Sequence, residues 1–160
     1  MSRSHVIFPA PAELIPQSGS MVLIDAIESS NEQTTTALVS IHKESLFLTP
    51  FNQVPSWVGI EYMLQTVAAH VFLHTPVSSV SMEDKRLKIG LFLGARRIEL
   101  MADGFAIGQT LRVLASVVWQ DQGMAVFDSS IELLNEKTTL AKASLNVYQP
   151  KSLKELLEAK

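Results

Sequence analysis

The 160-residue chain contains no cysteine and only four histidines. The first absence removes disulfides, thiolate nucleophiles and cysteine-ligated zinc. The second leaves few candidates for imidazole acid–base chemistry or metal ligation. Long runs of one charge are missing as well. Thirteen Lys and Arg stand against sixteen Asp and Glu, a net charge of −3, and without a basic block nucleic acid is not an expected partner. No segment offers about 20 apolar residues with few polar interruptions, so no membrane span is expected. The N-terminal MSRSHVIFPAPAEL lacks the charged start and apolar run of a secretory signal, and Pro9 and Pro11 interrupt its apolar content. With the missing cysteines, this favours the cytoplasm.

What is present is apolar. A hydrophobic content of 47% in 160 residues suits one domain with a sizeable core. We place that domain at residues 1–150 and read KSLKELLEAK, residues 151–160, as a charged tail or short helix. PAPAELIPQSGS reads as a helical turn between prolines. MVLIDAIESS and QTTTALVSIH read as an antiparallel strand pair. KESLFLTPFNQVP is irregular, punctuated by Pro50 and Pro55. An apolar helix then runs from about Ser56, a candidate cap, to His74, roughly 28 Å at 1.5 Å per residue. PVSSVSMEDK is a polar connection. Strands are expected over Arg86 to Leu100, Gln109 to Trp119, Met124 to Asn135 and Thr138 to Tyr148, joined by turns containing ADG, DQG and NEK. One helix that is apolar on nearly every side must be wrapped, and a curved antiparallel sheet is the element available to wrap it.

The helix stretch PSWVGIEYMLQTVAAH carries Glu61 among Val, Ile, Met and Leu. A carboxylate taken from water without a partner costs several kcal/mol, so Glu61 is paired, protonated or there for chemistry. Pairing with Arg96 or Arg97 is the structural alternative. Gln65, four residues on, lies about 40° round the helix and can hydrogen-bond Glu61 or a ligand. His70 lies nine residues after Glu61 and therefore on the opposite side, where a buried structural role is expected; His74 suits the helix C-terminus. The pair has metal-ligand spacing but no third ligand nearby, so no metal site is expected. Gly59 inside the helix implies close approach by a sheet or by a ligand.

Two motifs carry a family resemblance. LIPQSGSMVLID is similar to Leu-x-Pro-His-x-x-x-Met-x-Leu-x-Asp, matched at Leu14, Pro16, Met21, Leu23 and Asp25, with Gln17 where the pattern has histidine. PSWVGIEYMLQ is similar to Pro-Gly-x-x-x-x-(Glu/Asp)-x-x-x-Gln, matched at Pro55, Glu61 and Gln65, with Ser56 replacing glycine. These patterns resemble the hotdog-fold β-hydroxyacyl-acyl-carrier-protein dehydratases. VGIEYM, the following Ala-Ala-His and LGARR most resemble the ApeP-like branch associated with aryl polyene biosynthesis.

The resemblance implies an α+β hotdog fold and a hydro-lyase of fatty-acid or aryl polyene type biosynthesis. The substrate would be a 3-hydroxyacyl group carried on the phosphopantetheine of an acyl carrier protein or on CoA, with no cofactor of the enzyme's own. The family's site forms across a dimer, so a homodimer or a heterodimer with another hotdog protein is expected. A histidine takes the α-proton, the helix carboxylate handles the departing β-hydroxyl, and amides at the helix start polarise the thioester oxygen. Glu61 and Gln65 take the carboxylate and glutamine positions. Pro55, Ser56, Trp57 and Gly59 form the helix entry that would hold substrate, and Arg96 and Arg97 are candidates to meet an acidic carrier. The histidine position, eight residues before Pro55, holds Phe47. His42 is the candidate substitute base. Two other readings stay open: a hotdog thioesterase using Glu61 and Gln65 on water, and a non-catalytic subunit of a heterodimer.

Overall fold

A computed structural model describes residues 6–75, 91–149 and 157–158. The chain forms α1 (Pro11–Leu14), a 3-10 turn (Gly19–Met21), β1 (Ala26–Ser30), β2 (Thr34–Ser40), β3 (Gln53–Pro55), a second 3-10 turn (Ser56–Val58) and α2 (Gly59–Leu73). There follow β4 (Leu91–Leu100), β5 (Gly104–Ala106), β6 (Thr110–Asp121), β7 (Met124–Leu133) and β8 (Thr139–Tyr148). Six strands make one antiparallel sheet in the order β1-β2-β6-β7-β8-β4. The sheet is open, and α2 is the one long helix among the described residues, packed on the sheet: the hotdog fold that the motifs implied.

Alternation builds the core. In β6, Leu111, Val113 and Ala115 are fully buried beneath α2, while Arg112 between them reaches the outer face. There it forms a paired hydrogen bond with Glu28, both contacts at 2.7 Å, and reaches Glu132 at 3.4 Å. The Arg112 guanidinium holds the Glu28 carboxyl below the usual range. The α2 residues Tyr62, Met63 and Val67 meet Phe105, Phe127, Ile131 and Leu145 in the same core. Gly59 allows the tightest approach: a methyl group there would stand 2.7 Å from Ile131 Cδ1 and 3.1 Å from Phe105 Cζ. The close neighbour is therefore the sheet.

Several boundaries differ from expectation for local reasons. The DQG turn is a two-residue hairpin loop, Gln122 and Gly123 both at positive φ, joining Asp121 to Met124, as a type I′ turn requires. The ADG segment does not make a hairpin: β4 pairs with β8 across the sheet, and Gly104 opens β5, which pairs with β3 in a separate two-stranded sheet. Ser56 makes no side-chain cap; its N–H donates to Asp103 O at 3.0 Å, tying the helix start to the segment before β5. The helix accordingly opens as a 3-10 turn. The polar connection expected at 76–85, the strand start expected at 86–90 and most of the expected tail lie outside the described residues.

Candidate active site

The motif around Leu14 to Asp25 and the helix motif meet at Gln65, which is fully buried. Its Oε1 accepts the Leu23 N–H at 2.9 Å and the Ile24 N–H at 3.4 Å, and its Nε2 donates to Met21 O at 2.8 Å and to Glu61 Oε1 at 3.0 Å. Two donors and two acceptor sites are all an amide side chain has, so Gln65 is saturated. It staples the incoming chain to α2 and fixes one donor on Glu61. Asp25, which ends the first motif, accepts the Ser40 N–H at 2.6 Å while its own N–H donates to Leu38 O, setting the entry into β1.

Glu61 receives a second amide. Gln17 Nε2 donates to the same Oε1 at 3.0 Å. Among the described residues Glu61 has no cationic partner, and the expected alternative of a pair with Arg96 or Arg97 is not formed. Its second oxygen, Oε2, makes no hydrogen bond there and is not sealed off. The carboxyl is thus held by one oxygen and open at the other. That arrangement suits proton transfer to or from a ligand, because orientation is fixed without occupying the reacting atom.

Glu61 lines a cavity of about 640 Å³ between α1, the half-buried stripe of α2 and the ends of β4 and β8. Along α2 the wall runs from Glu61 through Leu64 and Ala68 to Val71 and Phe72, spacings of three and four that keep one face of a helix. Gln17 bonds Glu61, Glu13 and Ser18 also line the cavity, and Phe92 and Val147 add apolar lining. The cavity is therefore amphipathic. The helix periodicity at Glu61, Leu64, Ala68 and Val71 was the available sequence signal for this wall. Gln17 was visible as the residue standing in a histidine position, but nothing in the sequence placed it against Glu61.

The remaining candidates lie elsewhere. Pro55 ends β3 opposite Gly104, and Ser56 is buried behind it. Trp57 is 58% exposed and packs against Phe47, with ring centroids 5.9 Å apart. Phe47 has a φ of 67°, and Phe51 nearby in sequence is 84% exposed. His42 is exposed; its Nδ1 accepts the Glu44 N–H at 3.2 Å within its own loop, and it does not line the cavity. Arg96 and Arg97 are both exposed on β4 and also stand outside the cavity. Strand alternation, which would turn one of two successive residues inward, is interrupted by a bulge between Arg96 and Glu99, with Arg97 at a φ of 55°.

His70 and His74 occupy the other side of α2. Thr35 Oγ1 and His70 Nδ1 are 2.8 Å apart, Thr35 bonds Ser30 at 2.6 Å, and Ser30 bonds His74 Nε2 at 2.8 Å. Burial, and then the charge of His74, push His70 down to about 4. Neither histidine reaches Glu61. Among the described residues no group of three or more metal-ligating side chains occurs. No described helix is long and apolar enough to cross a membrane.

Comparison with known proteins agrees with this architecture. A structure described as the dehydratase heterocomplex ApeI:P from Xenorhabdus doucetiae superposes with a TM-score of 0.82 at 22% identity, covering 94% of this chain and 97% of that one. A hypothetical thioesterase with coenzyme A from Streptococcus pneumoniae gives 0.58 at 15% identity, over 79% and 85% of the two chains. The PaaI protein of the E. coli phenylacetic acid degradation operon gives 0.57 at 16%, over 76% and 80%. No curated protein matches at a significant level. At these identities the structures establish the hotdog fold. The model of the ApeP dehydratase family matches residues 9–158, nearly the whole sequence, and the chain belongs to the ApeP-like family.

Proposed function

We propose that this protein is the carboxylate-bearing subunit of a 3-hydroxyacyl thioester dehydratase, working with a second hotdog chain that supplies the histidine. The observation that carries the reading is Glu61, held through Oε1 by two amides and open at Oε2, in a cavity whose α2 wall beyond it is apolar. The α2 wall from Glu61 to Phe72 spans about 16 Å, which suits an extended acyl chain rather than an acetyl group. The acyl group would arrive on the phosphopantetheine of an acyl carrier protein or on CoA. Exposed Arg96 and Arg97 offer a basic spot for an acidic carrier.

In the reaction, the partner's base takes the α-proton, the C–H electron pair becomes the C=C bond and the β-C–O bond breaks. Glu61, protonated at Oε2, gives its proton to the departing hydroxyl, which leaves as water. The proton taken by the base restores the acid through solvent, so the net products are enoyl thioester and water. Phe47 in the histidine position makes a single chain incomplete for this step. The ApeI:P relative, a heterocomplex, supports the division of labour.

A thioesterase is the competing reading, favoured by the structural neighbour described as a hypothetical thioesterase. Saturation of Gln65 weighs against it, since no donor or acceptor remains to position water. The deciding assay supplies hydroxyacyl thioesters on a carrier protein and on CoA, with and without a second hotdog chain. Enoyl thioester formed only in the pair supports the proposal; free thiol release by the single chain would replace it with the thioesterase.

A further inference from the structure

The α2 wall of the cavity contains one small side chain. Helix α2 contributes Glu61, Leu64, Val67, Ala68, Val71 and Phe72, and every member except Ala68 is at least as large as valine. Helical geometry gives that exception a particular place. At 3.6 residues per turn Ala68 lies about 20° off the line drawn along the helix from Glu61, and about 10 Å farther on. Phe72 lies about 20° to the other side of the same line, about 16 Å from Glu61, and is the last α2 residue of the wall. Leu64 and Val71 stand about 60–80° to one side of it. A straight path from the carboxyl along α2 therefore crosses the Ala68 methyl and then meets the Phe72 ring.

The chemistry of the wall decides which part of a thioester substrate takes this path. Two arms leave the reacting carbons: the thioester with its amide-bearing phosphopantetheine, and the alkyl chain. Leu64, Ala68, Val71 and Phe72 offer no side-chain donor or acceptor. An amide laid along them would give up its hydrogen bonds to water without replacement, whereas each methylene would gain by leaving water. The alkyl arm therefore lies along α2. Ala68 is half-buried, and its side chain leans back toward the helix N-terminus, as all helical side chains do. Any larger residue there would extend toward Glu61 and into the path.

We infer that Ala68 is a specificity-determining residue for acyl length, leaving the path open beyond about 10 Å from Glu61 so that longer 3-hydroxyacyl chains run on to Phe72 at about 16 Å. The inference rests on the reading proposed above for one point, that Glu61 addresses the β-carbon. It names the preferred substrates as medium to long 3-hydroxyacyl thioesters. Each methylene that lies along the wall should tighten binding about fourfold, and the gain should stop where the wall does.

Titration calorimetry tests this on the full chain, alone and together with a second hotdog chain. An even-numbered series of saturated 3-hydroxyacyl-CoAs varies the alkyl arm and nothing else. Native affinity should rise with chain length and level off near the span to Phe72. In Ala68→Leu, with circular dichroism unchanged, the short members should bind as before and the rise should end near the span to position 68. Ala68→Val, a smaller intrusion, should blunt the rise from the same length. A native series with no length dependence, a levelling-off at the same length in native and both variants, or an equal weakening of every member overturns the inference. Dehydration by the pair is scored separately. A shifted break without enoyl product would remove the dehydratase reading and leave the length selection standing; enoyl product with an unshifted break would do the reverse.

Discussion

At the scale of single residues, the carboxylate that is costly to bury is also the one proposed to move a proton. Replacing Glu61 with Gln keeps its size but removes the proton-transfer group; activity of the assembled enzyme should fall about 10²-fold or more. Thermal melts of the variant should match or exceed the native protein, because no ion has to be desolvated. A variant that loses activity and unfolds alike would assign Glu61 to structure. Gln65 should behave in the opposite way. In Gln65→Met the Leu23 N–H and Met21 O lose their partner, and urea unfolding should show a loss of about 3 kcal/mol. Glu61 and Gln65 were legible in sequence because a polar pair one helical turn apart in an apolar run is expensive without a purpose. Gln17 was not, because its partner lies 44 residues away and the packing of α1 against α2 brings them together.

At the scale of elements, α2 was readable from its apolar run and flanking prolines, whereas β3 and β5 were not. Each has three residues and acquires strand geometry only by pairing with the other, so neither carries a period long enough to detect. Two predictions belong here. Gly59→Ala would push a methyl into Ile131 and Phe105, both fully buried, and should cost about 1–3 kcal/mol despite the better helix propensity of alanine. A chemical-denaturation midpoint equal to the native one would show that the core yields there. The second concerns His70, neutral in the fold and held well below its ordinary 6.5. Above 6.5 it is neutral in both states and its contribution is whole. As pH falls from 6.5 toward 4 the unfolded chain takes up the proton first, so stability declines, by at most about 3 kcal/mol. Glu28, with its lowered carboxyl, adds its own loss at still lower pH. Melts between pH 7 and 4 should fall in the native protein and flatten in His70→Gln; a flat native profile would contradict the assignment.

At the scale of the whole molecule, the sheet ends in β1 on one side and β4 on the other. The longer edge, β4, shows Phe92, Leu93, Ile98 and Leu100 all exposed, an apolar edge that a soluble monomer has reason to cover. Phe92 also lines the cavity, so whatever pairs with this edge would reach the site that contains Glu61. Pairing would therefore cover an edge left open among the described residues and, on the mechanism proposed above, bring the partner's base toward Glu61. The lysine variants Leu93→Lys and Ile98→Lys should each weaken association without disturbing the core, since neither side chain is buried. Sedimentation should show a shift toward monomer with unchanged circular dichroism. Turnover should fall in proportion to the monomer fraction and recover when the partner hotdog chain is raised in excess. Association that survives both lysines would place the interface elsewhere, and a monomer fully active with substrate would remove the need for a second chain altogether.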